Sequence, residues 1–391
     1  MKSSLRAAGA FVAAALALGG PVASNGQQPV ASFFYDERGQ VTRQARDTNG
    51  DGKLDRSIHY NAQGQTERVE QDVNHDDRPD TVIYYELGKP VRQESASKND
   101  GTIDTWLYFN ANGEIERKGQ DTARAGKPTQ WIYYENGEVV RSEEIAQAGG
   151  VANRSVYYKE GTIQRAEEDS NGDGRPDTFS YFEGGQLVRK DLDRKHIGKI
   201  DLWGHYDRGR LIRQEEDLHG DGKVSRILYF RGDEVIRREE DTARRGRMDM
   251  IELFAEGRLV QRLRDTQGTG KWDVLYYYHE NQMVREERDT NGDGYFDLRI
   301  LYEKGETIAQ EADTNGDRNV DVWVKFQQGE RAEQLEDQHY QGKVTARYVF
   351  KGGDVTQQEQ VSSPEPPRRS EPFANAEQAL RHASFTATAV P

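Results

Sequence analysis

The stretch Asp289-Thr290-Asn291-Gly292-Asp293-Gly294-Tyr295-Phe296-Asp297 decides how the chain folds. It places oxygen-bearing side chains at positions 1, 3, 5 and 9 and a glycine at position 6, where the chain must bend sharply. A single hard cation prefers that arrangement of carboxylate and amide oxygens. The same window returns along the chain in fixed register. Full versions start at Asp47, Asp72, Asp169, Asp289 and Asp313, and weaker ones at Asp193, Asp217, Asp241 and Asp265. Counting every copy, the starts fall at 47, 72, 96, 121, 145, 169, 193, 217, 241, 265, 289, 313 and 337, in steps of 24 or 25 residues. A period of this length marks an array of one supersecondary unit rather than two or three unrelated domains.

Each window leads into a short run rich in aromatic and β-branched residues, such as Leu298-Arg299-Ile300-Leu301-Tyr302. A turn with Gly305 follows, as with Gly209 and Gly257 elsewhere. A second run then leads to the next loop, for example Gly209 to Glu216. Two runs of about six residues around a glycine turn read as a β-hairpin, and neither has the length or spacing of a helix. Position 14 is aromatic in all thirteen units, from Tyr60 and Tyr85 to Phe326 and Phe350. This predicts a ladder of stacked rings along one face. Position 11 carries Trp106, Trp131, Trp203 and Trp323, and the return runs carry Arg and Glu, as in Arg213 and Glu215. The expected fold is all-β: tandem 24-residue hairpins in a long, twisted antiparallel meander of about 26 strands, superhelical or partly closed. Charge recurs on both faces of the return strands, which disfavours a membrane barrel.

Composition narrows the function. The chain has 391 residues, 31% of them charged, with a formal net charge of −14. That balance suits cations and argues against nucleic acid and anionic membranes. No cysteine is present, so neither disulfides nor thiolate metal sites are available, nor a lipoprotein attachment residue. Lys2 and Arg6, the apolar run Ala7 to Leu18, and the small residues Val22-Ala23-Ser24 read as a cleavable export signal over residues 1–24. The run is too short for a membrane span. The expected organisation is signal 1–24, leader 25–32, a repeat domain over 33–360 with about thirteen units, and a flexible Pro-rich tail over 361–391. The expected location is therefore secreted or periplasmic.

Two resemblances follow from the quoted residues. Tyr206-Asp207-Arg208-Gly209-Arg210-Leu211 and Tyr35-Asp36-Glu37-Arg38-Gly39 resemble the YD repeats of Rhs-type proteins, and are similar to MORN-type hairpin repeats. Those families form long antiparallel sheets, which the resemblance implies here. Asp-x-Asn-x-Asp-Gly-x-x-Asp between strands resembles the calcium loops of integrin-type propellers, dockerins and thrombospondin type 3 repeats. In those families the side chains at 1, 3, 5 and 9 and the position 7 carbonyl hold the ion. The resemblance assigns Asp47, Asn49, Asp51, Asp55 and the carbonyl of Lys53 to one site. Asp72, Asn74, Asp76 and Asp80 form the second, and Asp169, Asn171, Asp173, Asp177 and the Arg175 carbonyl the third. Asp289, Asn291, Asp293, Asp297 and the Tyr295 carbonyl form the fourth, and Asp313, Asn315, Asp317 and Asp321 the fifth. Asp77 and Arg318 depart from the pattern by replacing the position 6 glycine. An EF-hand is excluded, because Ile58 and Ile300 occupy the place of its bidentate glutamate.

No nucleophile elbow, phosphate loop, dinucleotide fingerprint or paired zinc histidines occur, so no catalytic residue is assigned and the chain is not read as an enzyme. The leading expectation is an exported calcium-binding scaffold with an adhesion-like structural role and several bound Ca2+ ions. One alternative is a module that binds a polysaccharide or protein through the aromatic rows. Another is an antitoxin- or immunity-like repeat protein.

Overall fold

The computed structural model describes residues 31–146 and 150–361. The proposed export signal, nearly all of the leader, and the tail beyond residue 361 lie outside the described residues. Among the described residues all the regular elements are strands, and they divide between two units, residues 1–198 and 199–391. Each unit contains fourteen strands joined as an antiparallel meander, in which strands pair with their sequence neighbours. Among the described residues no helix is long and apolar enough to cross a membrane.

The strand count exceeds the expected 26 because a hairpin, Ala31–Tyr35 with Val41–Arg46, precedes the first acidic loop. Most hairpins close with two residues in the left-handed region, such as Lys304 (φ 49°) and Gly305 (φ 86°) between Glu303 and Glu306. That turn matches the natural twist of paired strands. The two 25-residue steps have a physical origin at this end of the unit. There the turn is longer and is built on Asn61 or Asn110, whose side-chain oxygen accepts two backbone N–H groups. The extra residue is absorbed in the turn, at the opposite end of the strands from the acidic loop. Each hairpin also carries a register shift next to position 14, as between Leu301 and Tyr302. Such a bulge increases local twist.

The expected ring ladder does not form. Position 14 aromatics are two strands apart, roughly 9.6 Å at normal strand spacing, too far to stack. Polar side chains of the intervening return strand fill the gap. The Tyr302 hydroxyl donates to Glu286 at 2.9 Å, and that of Tyr60 to Gln44 at 3.2 Å. The opposite face is tiled instead by arginine over tyrosine. Arg92, Arg117, Arg141 and Arg285 lie 4.0–4.9 Å from the rings of Tyr84, Tyr108, Tyr133 and Tyr277. Three of these arginines also pair with a glutamate two residues on, Glu94, Glu143 or Glu287. In the remaining case that place is Gly119, flanked in register by Trp106 and Trp131. The Trp131 ring covers it so closely that a Cβ there would lie 2.9 Å from the ring.

Candidate functional site: the acidic loops

The largest fully buried side chains among the described residues are aspartates, Asp80, Asp249 and Asp337. Among the described residues eleven apolar side chains are buried but eighteen aspartates, nearly all at loop positions 1 and 9. The strand ladder brings these two positions together. The backbone N–H of position 1 donates to the position 9 carbonyl of the preceding loop, as Asp72 does to Asp55 at 2.8 Å and Asp313 to Asp297 at 2.9 Å. A spine of carboxylates therefore runs along the loop edge of each unit.

Each carboxylate has a defined task. Asp289 at position 1 accepts the N–H groups of Gly292 at 2.7 Å and Gly294 at 2.8 Å. Asp47, Asp169 and Asp313 hold the same two positions in their own loops. In the second loop, Asp72 reaches the N–H groups of His75 and Asp77. Asn291 at position 3 accepts from Asp293 N–H, and its amide nitrogen faces the Asp293 carboxylate, which in turn accepts from Tyr295 N–H. The equivalent sets Asn49–Asp51–Lys53, Asn74–Asp76–Arg78, Asn171–Asp173–Arg175 and Asn315–Asp317–Asn319 repeat this chain of bonds.

Position 9 brackets the loop from below. Asp55 takes both the N–H and the hydroxyl of Thr48, at 2.7 and 2.6 Å. Asp177, Asp297 and Asp321 do the same with Ser170, Thr290 and Thr314. Asp80 differs. Its Oδ2 accepts from Val73 and Asn74 N–H, while its Oδ1 has no hydrogen-bond donor among the described residues although the residue is 1% exposed. Burial pushes the Asp249 carboxyl up, but the Thr242 hydroxyl and the N–H groups of Thr242 and Ala243 outweigh it and hold it below the ordinary range. Asp217 at position 1 is held down in the same way by Gly222 and Gly220 N–H.

Loop conformation explains the glycine pattern and its exceptions. Positions 4 and 6 are both left-handed, as in Gly292 (φ 81°) and Gly294 (φ 93°). Asp77 (φ 68°) and Arg318 (φ 72°) adopt that same conformation without a glycine, so the bend survives their substitution at a backbone cost. The left-handed need at position 4 escaped the sequence reading, though Gly, Asn and His recur there. So did the bracket, whose signal is the repeated Asp-Thr or Asp-Ser at positions 1 and 2.

Position 7, assigned a carbonyl role by resemblance, uses its side chain to reach the next loop. Lys53 pairs with Asp77 at 2.6 Å, Arg247 with Asp265 at 3.2 Å, and the Tyr295 hydroxyl donates to the Arg318 carbonyl. Histidine at position 4 makes a further link. His75 Nδ1 lies 3.1 Å from Asp55, and His196 Nδ1 lies 3.1 Å from Asp177, each a carboxylate of the preceding loop. The sequence-assigned ligands Asp51 and Asp55 come together with His75, their donor atoms within 4.8 Å of one another. Among the described residues this is the one place where three His, Asp or Glu donors converge so closely. In the other four full loops no three such donors converge within that range, and the position 1, 5 and 9 carboxylates are each engaged with backbone donors of their own loop.

The donor set suits a hard cation. It is all oxygen at positions 1, 3, 5 and 9, and a carboxylate oxygen that accepts one N–H keeps a second lone pair for an ion.

No family model and no curated protein matches the chain. A solved structure of accessory secretory protein 1, 2 and 3 from Streptococcus pneumoniae is similar over 34% of this chain and 23% of that one, at 18% identity and a TM-score of 0.17. The structure of TcdB2-TccC3 is similar over 86% of this chain and 26% of that one, at 12% identity and a TM-score of 0.15. This chain spans about a quarter of the length of each, and overlays this loose carry no weight for the site.

Proposed function

We propose that this chain is an exported, calcium-stabilised hairpin-repeat scaffold, with the five full loops as its ion sites. The observation that carries the reading is Asp80. A buried carboxylate oxygen with no donor costs several kcal/mol unless a cation answers it, and Asp80 belongs to a loop that also holds Asp72, Asn74 and Asp76. Calcium, when bound, supplies positive charge among carboxylates that otherwise repel one another. Asp72, Asn74, Asp76 and Asp80 would hold it in the second loop, and the matching residues in the other four. Outside the cell, where calcium is abundant, modules of this class bind at roughly 10⁻⁴–10⁻³ M. The export signal at residues 1–24 supports that compartment. The scaffold would present its regular faces to a protein or polysaccharide partner. The Arg-over-Tyr tiling favours a protein, because guanidinium groups already cover ring faces that a sugar would stack on.

Calorimetric titration of chelator-treated protein with calcium, alongside thermal melts, tests this directly. Several bound ions and a rising Tm are expected, with Asp80→Asn removing part of the heat. An unchanged Tm and no heat at millimolar calcium would refute it.

A further inference from the structure

The convergence of Asp51, Asp55 and His75 sets the first loop apart from the other four. We propose that these three side chains form a single site for a zinc-class divalent metal, which would draw Asp51 and Asp55 away from the first loop's calcium set. A neutral imidazole nitrogen is a ligand that zinc, nickel and copper favour, whereas calcium takes oxygen. Two carboxylates and one imidazole, with water completing the shell, is a donor set that zinc accepts. The geometry is largely in place. Asp55 is 3% exposed and its Oδ2 is fixed by Thr48, which leaves Oδ1 turned toward His75 Nδ1 at 3.1 Å. Tetrahedral ligands about 2.1 Å from zinc stand roughly 3.4 Å apart, so the Asp–His pair already has ligand spacing. Asp51, exposed and within 4.8 Å of both, needs only a small swing to join them.

Two repeats contribute to the site, so bound metal would fasten the first loop to the second. The nearby Lys53 ammonium does not oppose the ion, because it is drawn off to Asp77. The chain also contains its own control. His196 meets Asp177 at the same distance, but among the described residues no second carboxylate joins them within ligand range. An ordinary histidine–carboxylate ion pair would make the two places equivalent; a metal site makes them different.

The test is zinc titration of the chelator-treated full chain by calorimetry without calcium, since calcium would compete for Asp51 and Asp55, followed by cobalt substitution and its visible absorption. One zinc equivalent is expected, lost or weakened at least about tenfold in His75→Asn and untouched in His196→Asn. Asn is a mild replacement, since Asn99 occupies position 4 of the next loop at φ 51°. Far-UV circular dichroism and the calcium titration of His75→Asn establish that it is folded. Asp51→Asn, at an exposed position, provides a second variant and should also weaken zinc. No zinc uptake, or uptake indifferent to His75 and Asp51, overturns the proposal. The proposal does not rest on the calcium reading. Zinc bound without calcium uptake refutes only the calcium scaffold, and calcium bound without zinc refutes only this site.

Discussion

Asp249→Ala isolates the bracket at position 9 from any ion. Its loop carries Ala243 and Arg245 where ligands would stand, so its stability owes nothing to calcium. The carboxylate accepts Thr242 N–H at 2.8 Å, Thr242 hydroxyl at 2.7 Å and Ala243 N–H at 2.8 Å, and the residue is 2% exposed. Removing it takes the acceptor from two part-buried N–H donors, at about 1–3 kcal/mol each, while the hydroxyl can turn elsewhere. The expected loss is about 3–5 kcal/mol. Asp249→Ser should cost about 2 kcal/mol less, because the chain already uses Ser225 in this role, accepting Leu218 N–H at 2.9 Å. Urea unfolding gives the totals, and hydrogen exchange at the Thr242 amide localises them. A loss below about 1 kcal/mol for Ala, or equal losses for Ala and Ser, would refute the bracket as a principal support of the loop.

Arg244 sits exposed at position 4 with φ 56°, so Arg244→Gly should relieve left-handed strain and raise stability by about 0.5 kcal/mol in denaturant titration. Asp55, Asp177, Asp217, Asp249, Asp265 and Asp337 all titrate below the ordinary aspartate value of 3.8 in the folded chain, burial opposing and hydrogen bonds prevailing. Their contribution is therefore complete above that value and drains away as pH falls further, so circular dichroism should show cooperative acid unfolding below about pH 3.8. Gly119→Ala places a Cβ 2.9 Å from Trp131 and 3.0 Å from Pro128. It should cost about 1–3 kcal/mol and shift tryptophan emission.

Much of the fold was legible because its cues are local. The 24-residue period, the glycine turns and the alternation in runs such as Leu298–Tyr302 specify a meander without any long-range information. What misled was distance across strands. Thirteen aromatics at one position suggested a ladder, but equivalent strands are two spacings apart, and Glu286 or Gln44 fills the gap. The loops were legible in conformation, even where Asp77 and Arg318 hid the pattern. Their connections were not. Lys53 with Asp77 and His75 with Asp55 join residues 24 and 20 apart in sequence, and only the strand register places them side by side. The bracket by Thr48 or Thr290 was missed for another reason: one carboxylate at position 9 can serve an ion or a hydroxyl, and the residue type is the same for both.

Within each unit, the pairing of strands with their sequence neighbours bears on how the chain folds. No contact within a hairpin spans more than about one turn and two short strands, so little loop-closure entropy opposes its formation. Folding can begin at any hairpin and spread outward, and unfolding should start as fraying at terminal repeats such as Ala31–Arg46 rather than as collapse of a central core. Excising one whole 24-residue unit would leave every remaining neighbour relation intact, so chain length is a quantity this architecture can change in steps without redesign.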